Sequence, residues 1–132
     1  IDISSWSIKD EKDDHIFTIP ENTLIAPGSY LIFCSELNLF TTLFPDIENY
    51  YGNLGFNLSG RSDAVRIFDN FEHLVDSVGY EDTIPWPINA DGEGATLELF
   101  HPSRDNSKSN NWGSSIDNGT PGYINSIYNI DG

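Results

Sequence analysis

Residues 63–80 read "DAVRIFDNFEHLVDSVGY". Val65 and Ile67 alternate with Arg66, and a period of two belongs to a strand with one face turned inward. The stretch "HLVDSVGY" (73–80) is read in the same way, with Leu74 set against Asp76 and then Val78 and Tyr80. The intervening "DNFE" (69–72) is short enough for a hairpin turn. Two antiparallel strands over 63–70 and 73–80 are therefore expected, with Val65 and Ile67 facing inward and Arg66 outward.

The same grammar extends outward in both directions. "SSWSIKD" (4–10) places Trp6 and Ile8 on one face, and "HIFTIP" (15–20) is β-branched and aromatic until Pro20 ends its pairing. "DEKDD" (10–14) between them is a charged turn. "APG" (26–28) reads as a type II turn, in which Pro27 fixes φ and Gly28 takes positive φ. "SYLIFC" (29–34) is a nearly continuous apolar strand, and "FNLSG" (56–60) a shorter one. "ATLELF" (95–100) turns Leu97 and Leu99 inward. Leu39, Phe40, Leu43 and Phe44 have the spacing of a single helical turn near 37–44. Residues 46–55 and 85–94 read as loops. About seven short, mostly antiparallel strands predict an all-β sandwich. The expected core is Trp6, Phe17, Leu31, Phe33, Val65, Ile67, Val78, Leu97 and Leu99.

The chain has 132 residues, 38% of them apolar, with Trp 3, Tyr 6 and Phe 8. That size carries one core without staples, and that aromatic content excludes intrinsic disorder. The net charge is −15, from 21 acidic and six basic residues. Such a surface repels phosphate backbones and anionic lipids, so nucleic acid is not an expected partner. No run is long enough to span a membrane, so no insertion is expected. Cys34 is the only cysteine and reads as a buried, inert thiol. The chain shows neither an initiator Met nor a leader, and reads as an excerpt of a longer protein.

The order of these signals resembles the lamin-tail domain, in its bacterial branch. The resemblance runs from "IDISSWSIKD" through "IAPGSYLIFC", "FNLSGRSDAVRIFDN" and "VDSVGY". It ends in "DGEGATLELFHPSRDNSKSNNWGSS" and "NGTPGYIN". Trp6, Pro27, Gly28, Trp112, Gly119, Pro121, Gly122 and Asn125 stand at its motif positions. What the resemblance implies is an immunoglobulin-like sandwich over 1–125, followed by a tail or linker at 126–132. It also implies a non-catalytic attachment or interaction role in a secreted or cell-surface bacterial protein. Members of that family begin with one or two further strands, whereas this sequence starts at the stretch that follows them, through truncation or because the preceding strand was left out. If that leading strand is absent, a sheet edge is left open, and an upstream strand or a protein partner could pair with it. The chromatin association of the nuclear members does not carry over to a chain of this charge.

Chemistry of other kinds finds less support. His15, His73 and His101 each fall at an element end, and no G-x-S-x-G accompanies them, so no enzyme is expected. Asp10, Glu11, Asp13 and Asp14 crowd carboxylates of the sort Ca²⁺ takes. Their spacing lacks the D-x-D-x-D-G order, and Lys9 and Lys12 partly neutralise them. A solvated turn is the better reading, with Asp10, Asp13 and Asp14 as the weak metal candidates and no cofactor expected. Asp91–Gly94, written "DGEG", reads as a bend. Trp86, stiffened by Pro85 and Pro87, is the candidate for stacking on a sugar, which makes a glycan the alternative ligand. The competing and favoured reading folds Trp86 back over the end of the sandwich.

Overall fold

Ile8 sits between two partners: Phe17 on one side and Ile67 on the other. The register follows from it. In the computed structural model, which describes residues 1–87 and 95–130, β1 (Ser7–Lys9) pairs antiparallel with β2 (Ile16–Thr18) and with β5 (Ser62–Phe68). β6 (Leu74–Glu81) completes a four-stranded sheet of order β2-β1-β5-β6. Because side chains alternate, one face of β1, β2 and β5 carries Ile8, Phe17 and Ile67, and the other carries Ser7, Lys9, Ile16, Thr18, Arg66 and Phe68.

The described chain is predominantly β, with one short helix. β3 (Ile32–Phe33) and β4 (Tyr50–Tyr51) pair in parallel, joined by α1 (Leu37–Leu43). β7 (Leu97–Leu99) pairs antiparallel with β8 (Trp112–Ser114), which follows a 3₁₀ turn at Ser109–Asn111. The chain divides into two compact units. The first is Ile1–Leu58 with Ala64–Ser77, and the second is Ser59–Asp63 with Val78–Gly132. β5 and β6 each run through both.

The core of the first unit is Ile3, Ile8, Ile19 and Phe56, with Trp6, Phe17, Leu31, Phe33, Leu54 and Ile67 packed against it. Five of the expected core residues are thus in place: Trp6, Phe17, Leu31, Phe33 and Ile67. Val65 is not, being 36% exposed. The reason is strand length. β1 pairs with β5 only at Arg66, Ile67 and Phe68, so Val65 lies past the end of the strand that would cover it. Val78 is half-buried.

Other expectations fail for similar reasons. Residues 56–60 form no strand; Phe56 is core, while the Ser59 amide donates to the Asp63 carboxylate at 2.8 Å and the Ser59 carbonyl accepts from the Tyr80 hydroxyl at 2.6 Å. Side chains satisfy that backbone in place of a ladder. The run 29–34 is strand only at Ile32–Phe33, and β4 lies within the stretch read as loop. The helical turn forms as expected, but Leu39 and Leu43 are exposed, while the Phe40 ring packs against those of Phe44 and Tyr50. Gly52 lies against β3: a Cβ there would stand 2.7 Å from the Cys34 carbonyl oxygen. Cys34 is half-buried, and that burial pushes its thiol up from the ordinary value.

Candidate functional site

The hairpin of β5 and β6 turns where the sequence placed it. The Asp69 amide donates to the His73 carbonyl at 2.9 Å, and Glu72 takes the positive φ of the turn, 64°. The Asp69 carboxylate accepts the amides of Phe71 and His73, each at 2.9 Å. Those bonds, the His73 amide foremost, hold its carboxyl below the ordinary value. The tip is therefore tied from within. It presents Phe71 at 73% exposure, with Leu74 and Val75 at 56% and 50%. Leu74 opens β6, the end strand of its sheet. Among the described residues no strand pairs with the outer side of β6.

The charged turn at 10–14 is a hydrogen-bonded cluster. Asp10 is 3% exposed. Its carboxylate meets His15 Nδ1 at 2.7 Å and accepts the Lys12 amide at 2.8 Å. Its carbonyl accepts from Arg66 Nε at 2.8 Å. Burial is the largest single influence on the Asp10 carboxyl and pushes it up. The bonds from His15 and Lys12 outweigh that push and hold it below the ordinary value. The His15 ring stacks on Phe56, with centroids 5.5 Å apart.

Asp13 lies 2.9 Å from Arg66 Nη2, and Asp14 is exposed. The three weak metal candidates are thus dispersed, with Asp10 committed to His15 and Asp13 to Arg66. Among the described residues no three His, Cys, Asp or Glu side chains converge as a metal ion would need. The "DGEG" bend lies outside the described residues.

On the outward sheet face of the first unit is a cleft of about 600 Å³, floored by β1, β2 and β5 and bounded by the hairpin turn. Lys9 Nζ stands 4.7 Å from the centre of the Phe68 ring, and Arg66 Cζ 5.5 Å. The register that sets Lys9 opposite Arg66 brings these two cations together. The sequence reading missed the pair because strand alternation gives a face, not a neighbour.

The second unit houses the remaining motif residues. Trp112 is half-buried and donates from Nε1 to the Asn106 carbonyl at 2.9 Å. Trp86 is also half-buried, its ring centre 6.3 Å from that of Trp112. Gly119 and Gly122 both have φ of 83°, in turns closed by bonds from Gly119 N–H to Ile116 and from Tyr123 N–H to Thr120 across Pro121. Asn125 donates to the Leu99 carbonyl at 2.8 Å. In the first unit Pro27 and Gly28 form the expected turn, with Gly28 at φ 73° and Ser29 bonded to Ala26.

The C-terminal stretch also corrects the reading of β7. Leu97 and Leu99 are only half-buried, and Glu98 between them is 5% exposed. Its carboxylate accepts from the Ser126 hydroxyl at 2.8 Å and the Ile127 amide at 3.3 Å. Asn129 donates to the Phe100 carbonyl at 2.8 Å. These bonds lie in the stretch read as tail or linker, and they cover the face of β7 that alternation assigned to solvent.

Among the described residues no helix is long and apolar enough to cross a membrane. Compared with known proteins, the chain matches no family model, no curated protein and no solved structure.

Proposed function

We propose that the chain is a non-catalytic interaction or attachment module of a secreted or cell-surface bacterial protein, and that it binds an extended protein segment along the free edge of β6. The observation that carries this is the edge itself. β6 has eight residues, ends its sheet, and begins with exposed Leu74 and Val75 beside exposed Phe71. An unpaired strand edge offers a row of backbone donors and acceptors, and flanking side chains supply selectivity. The net charge of −15 favours a partner segment rich in Lys or Arg. The resemblance to the lamin-tail domain supports an immunoglobulin-like sandwich and the extracellular setting. Trp86 packs beside Trp112, which favours protein over glycan as the ligand.

Selection from a displayed library of extended peptides tests the reading. Selected peptides should be apolar and basic in alternation, and should bind at least about tenfold more weakly when Leu74 and Val75 become Glu. Hydrogen exchange on the bound complex should show added protection along Leu74–Glu81. Protection confined to other elements, or a library that yields no binder, overturns the proposal.

A further inference from the structure

The outward cleft of the first unit is charge-balanced once its internal pairs are set aside. Its lining includes the carboxylates of Asp13, Asp69 and Glu72 and the cations Lys9 and Arg66. Asp13 and Arg66 are spent on each other at 2.9 Å, and Arg66 Nε also donates to the Asp10 carbonyl. The Asp69 carboxylate is held by the amides of Phe71 and His73. One cation and one carboxylate remain. The Lys9 ammonium meets only the Phe68 ring among the described residues, and Glu72 is exposed. The cleft therefore demands no net charge of a ligand. Its other uncommitted groups are neutral. The Ser7 and Thr18 hydroxyls and the Asn70 side-chain amide have no hydrogen-bond partner among the described residues, whereas the Ser5 hydroxyl is taken by Glu21. Register sets Ser7 directly opposite Thr18, and Lys9 opposite Ile16, whose side chain is 49% exposed. Cross-strand neighbours of this kind stand about 5 Å apart, comparable to the span between non-adjacent hydroxyls of a hexose ring.

We infer that this cleft is a binding site for a neutral polyhydroxylated ligand, of the class of hexoses and their short oligomers. A sugar hydroxyl both donates and accepts, and so do the Ser7, Thr18 and Asn70 side chains that meet it. Lys9 adds a donor and Glu72 an acceptor, so each hydroxyl finds a partner whichever way its proton points. The exposed Ile16 side chain offers an apolar surface to the C–H face of the ring. The volume, about 600 Å³, is that of an ordinary small-molecule site. The inference is independent of the edge-pairing proposal, because no residue of β6 lines the cleft. Trp86, which belongs to the second unit, takes no part.

Titration of the whole chain with glucose, galactose, mannose and N-acetylglucosamine, followed by amide chemical shifts, tests it. At least one of the four, at millimolar concentration, should shift the amides of β1, β2 and β5 saturably. Glucuronate, glucosamine and glycine serve as the anionic, cationic and zwitterionic controls, and none should bind more tightly than that neutral sugar. Thr18→Val keeps the side-chain shape without the hydroxyl and should weaken the sugar by about tenfold or more. Ser7→Ala should act likewise, and Thr18→Ser should bind as the parent does, with all three variants melting as the parent does. Tighter binding of any charged control would make the cleft a charge-reading site and overturn the inference. So would undiminished binding by Thr18→Val and Ser7→Ala, shifts confined to other elements, or no shift with any of the four sugars.

Discussion

Glu98 and Gly119 meet at the close of the second unit. A Cβ on Gly119 would lie 2.6 Å from Thr96 Oγ1, and its φ of 83° disfavours any side chain. Gly119→Ala should therefore cost about 1–3 kcal/mol in urea denaturation. Glu98→Leu keeps the bulk but strands the Ser126 hydroxyl and the Ile127 amide. A loss of about 2 kcal/mol by the same measurement is expected, whereas conversion of a solvent-facing Glu would be near neutral. Alternation did reveal that Glu98 faces away from Leu97 and Leu99. It could not reveal which face would be covered, because the covering residues come from Ser126 and Ile127, far along the chain. The same limit applies to Asp10: the acidic turn was visible in the sequence, but its burial depends on His15 and on Arg66 of a later strand.

At the scale of elements, the hairpin was legible and the short pairings were not. Residues 63–80 carry enough alternation, with a turn that Asp69 closes locally, to announce both strands. β4 and β8 have two and three residues, too few to show any period, and each exists because a partner strand recruits it. Helix α1 was readable from its apolar spacing, though Leu39 and Leu43 remain exposed. The internal tie at Asp69 yields a prediction. Asp69→Ala removes the acceptor of two turn amides, and exchange at Phe71 and His73 should quicken, while that of β1 and β2 stays as it was. Unchanged exchange at the tip would show that the turn is held by its backbone alone. Gly52→Ala is expected to cost about 1–3 kcal/mol, since the new methyl meets the Cys34 carbonyl, which also accepts the Leu54 amide.

For the molecule as a whole, acid is the informative variable. Asp2, Asp10, Asp69 and Asp105 are all held below their ordinary value of 3.8. Ser4 does this for Asp2, the His73 amide for Asp69 and Ser107 for Asp105. For Asp10, burial opposes and the His15 and Lys12 bonds prevail. A carboxyl with a lowered folded pKa binds fewer protons folded than unfolded. Its contribution is complete above 3.8 and lost as pH falls through the folded value. The melting temperature should accordingly drop between about pH 5 and pH 2, and Asn at all four positions should flatten that limb. An unaltered limb would assign acid sensitivity to the remaining carboxylates. The predominance of β-structure was readable at this scale because composition and turn chemistry are distributed along the whole chain. The cleft was not, because it depends on strand register.

The bonds of Ser126 and Ile127 to Glu98 bear on the order of events during synthesis. Every residue of the first unit has been made once Ser77 is joined, and its β1, β2 and β5 register needs nothing later. The second unit begins with residues 59–63 yet cannot satisfy Glu98 until residue 127 has emerged. At a translation rate of roughly 5–20 residues per second, one half waits for seconds with its buried carboxylate still wet while the other is free to close.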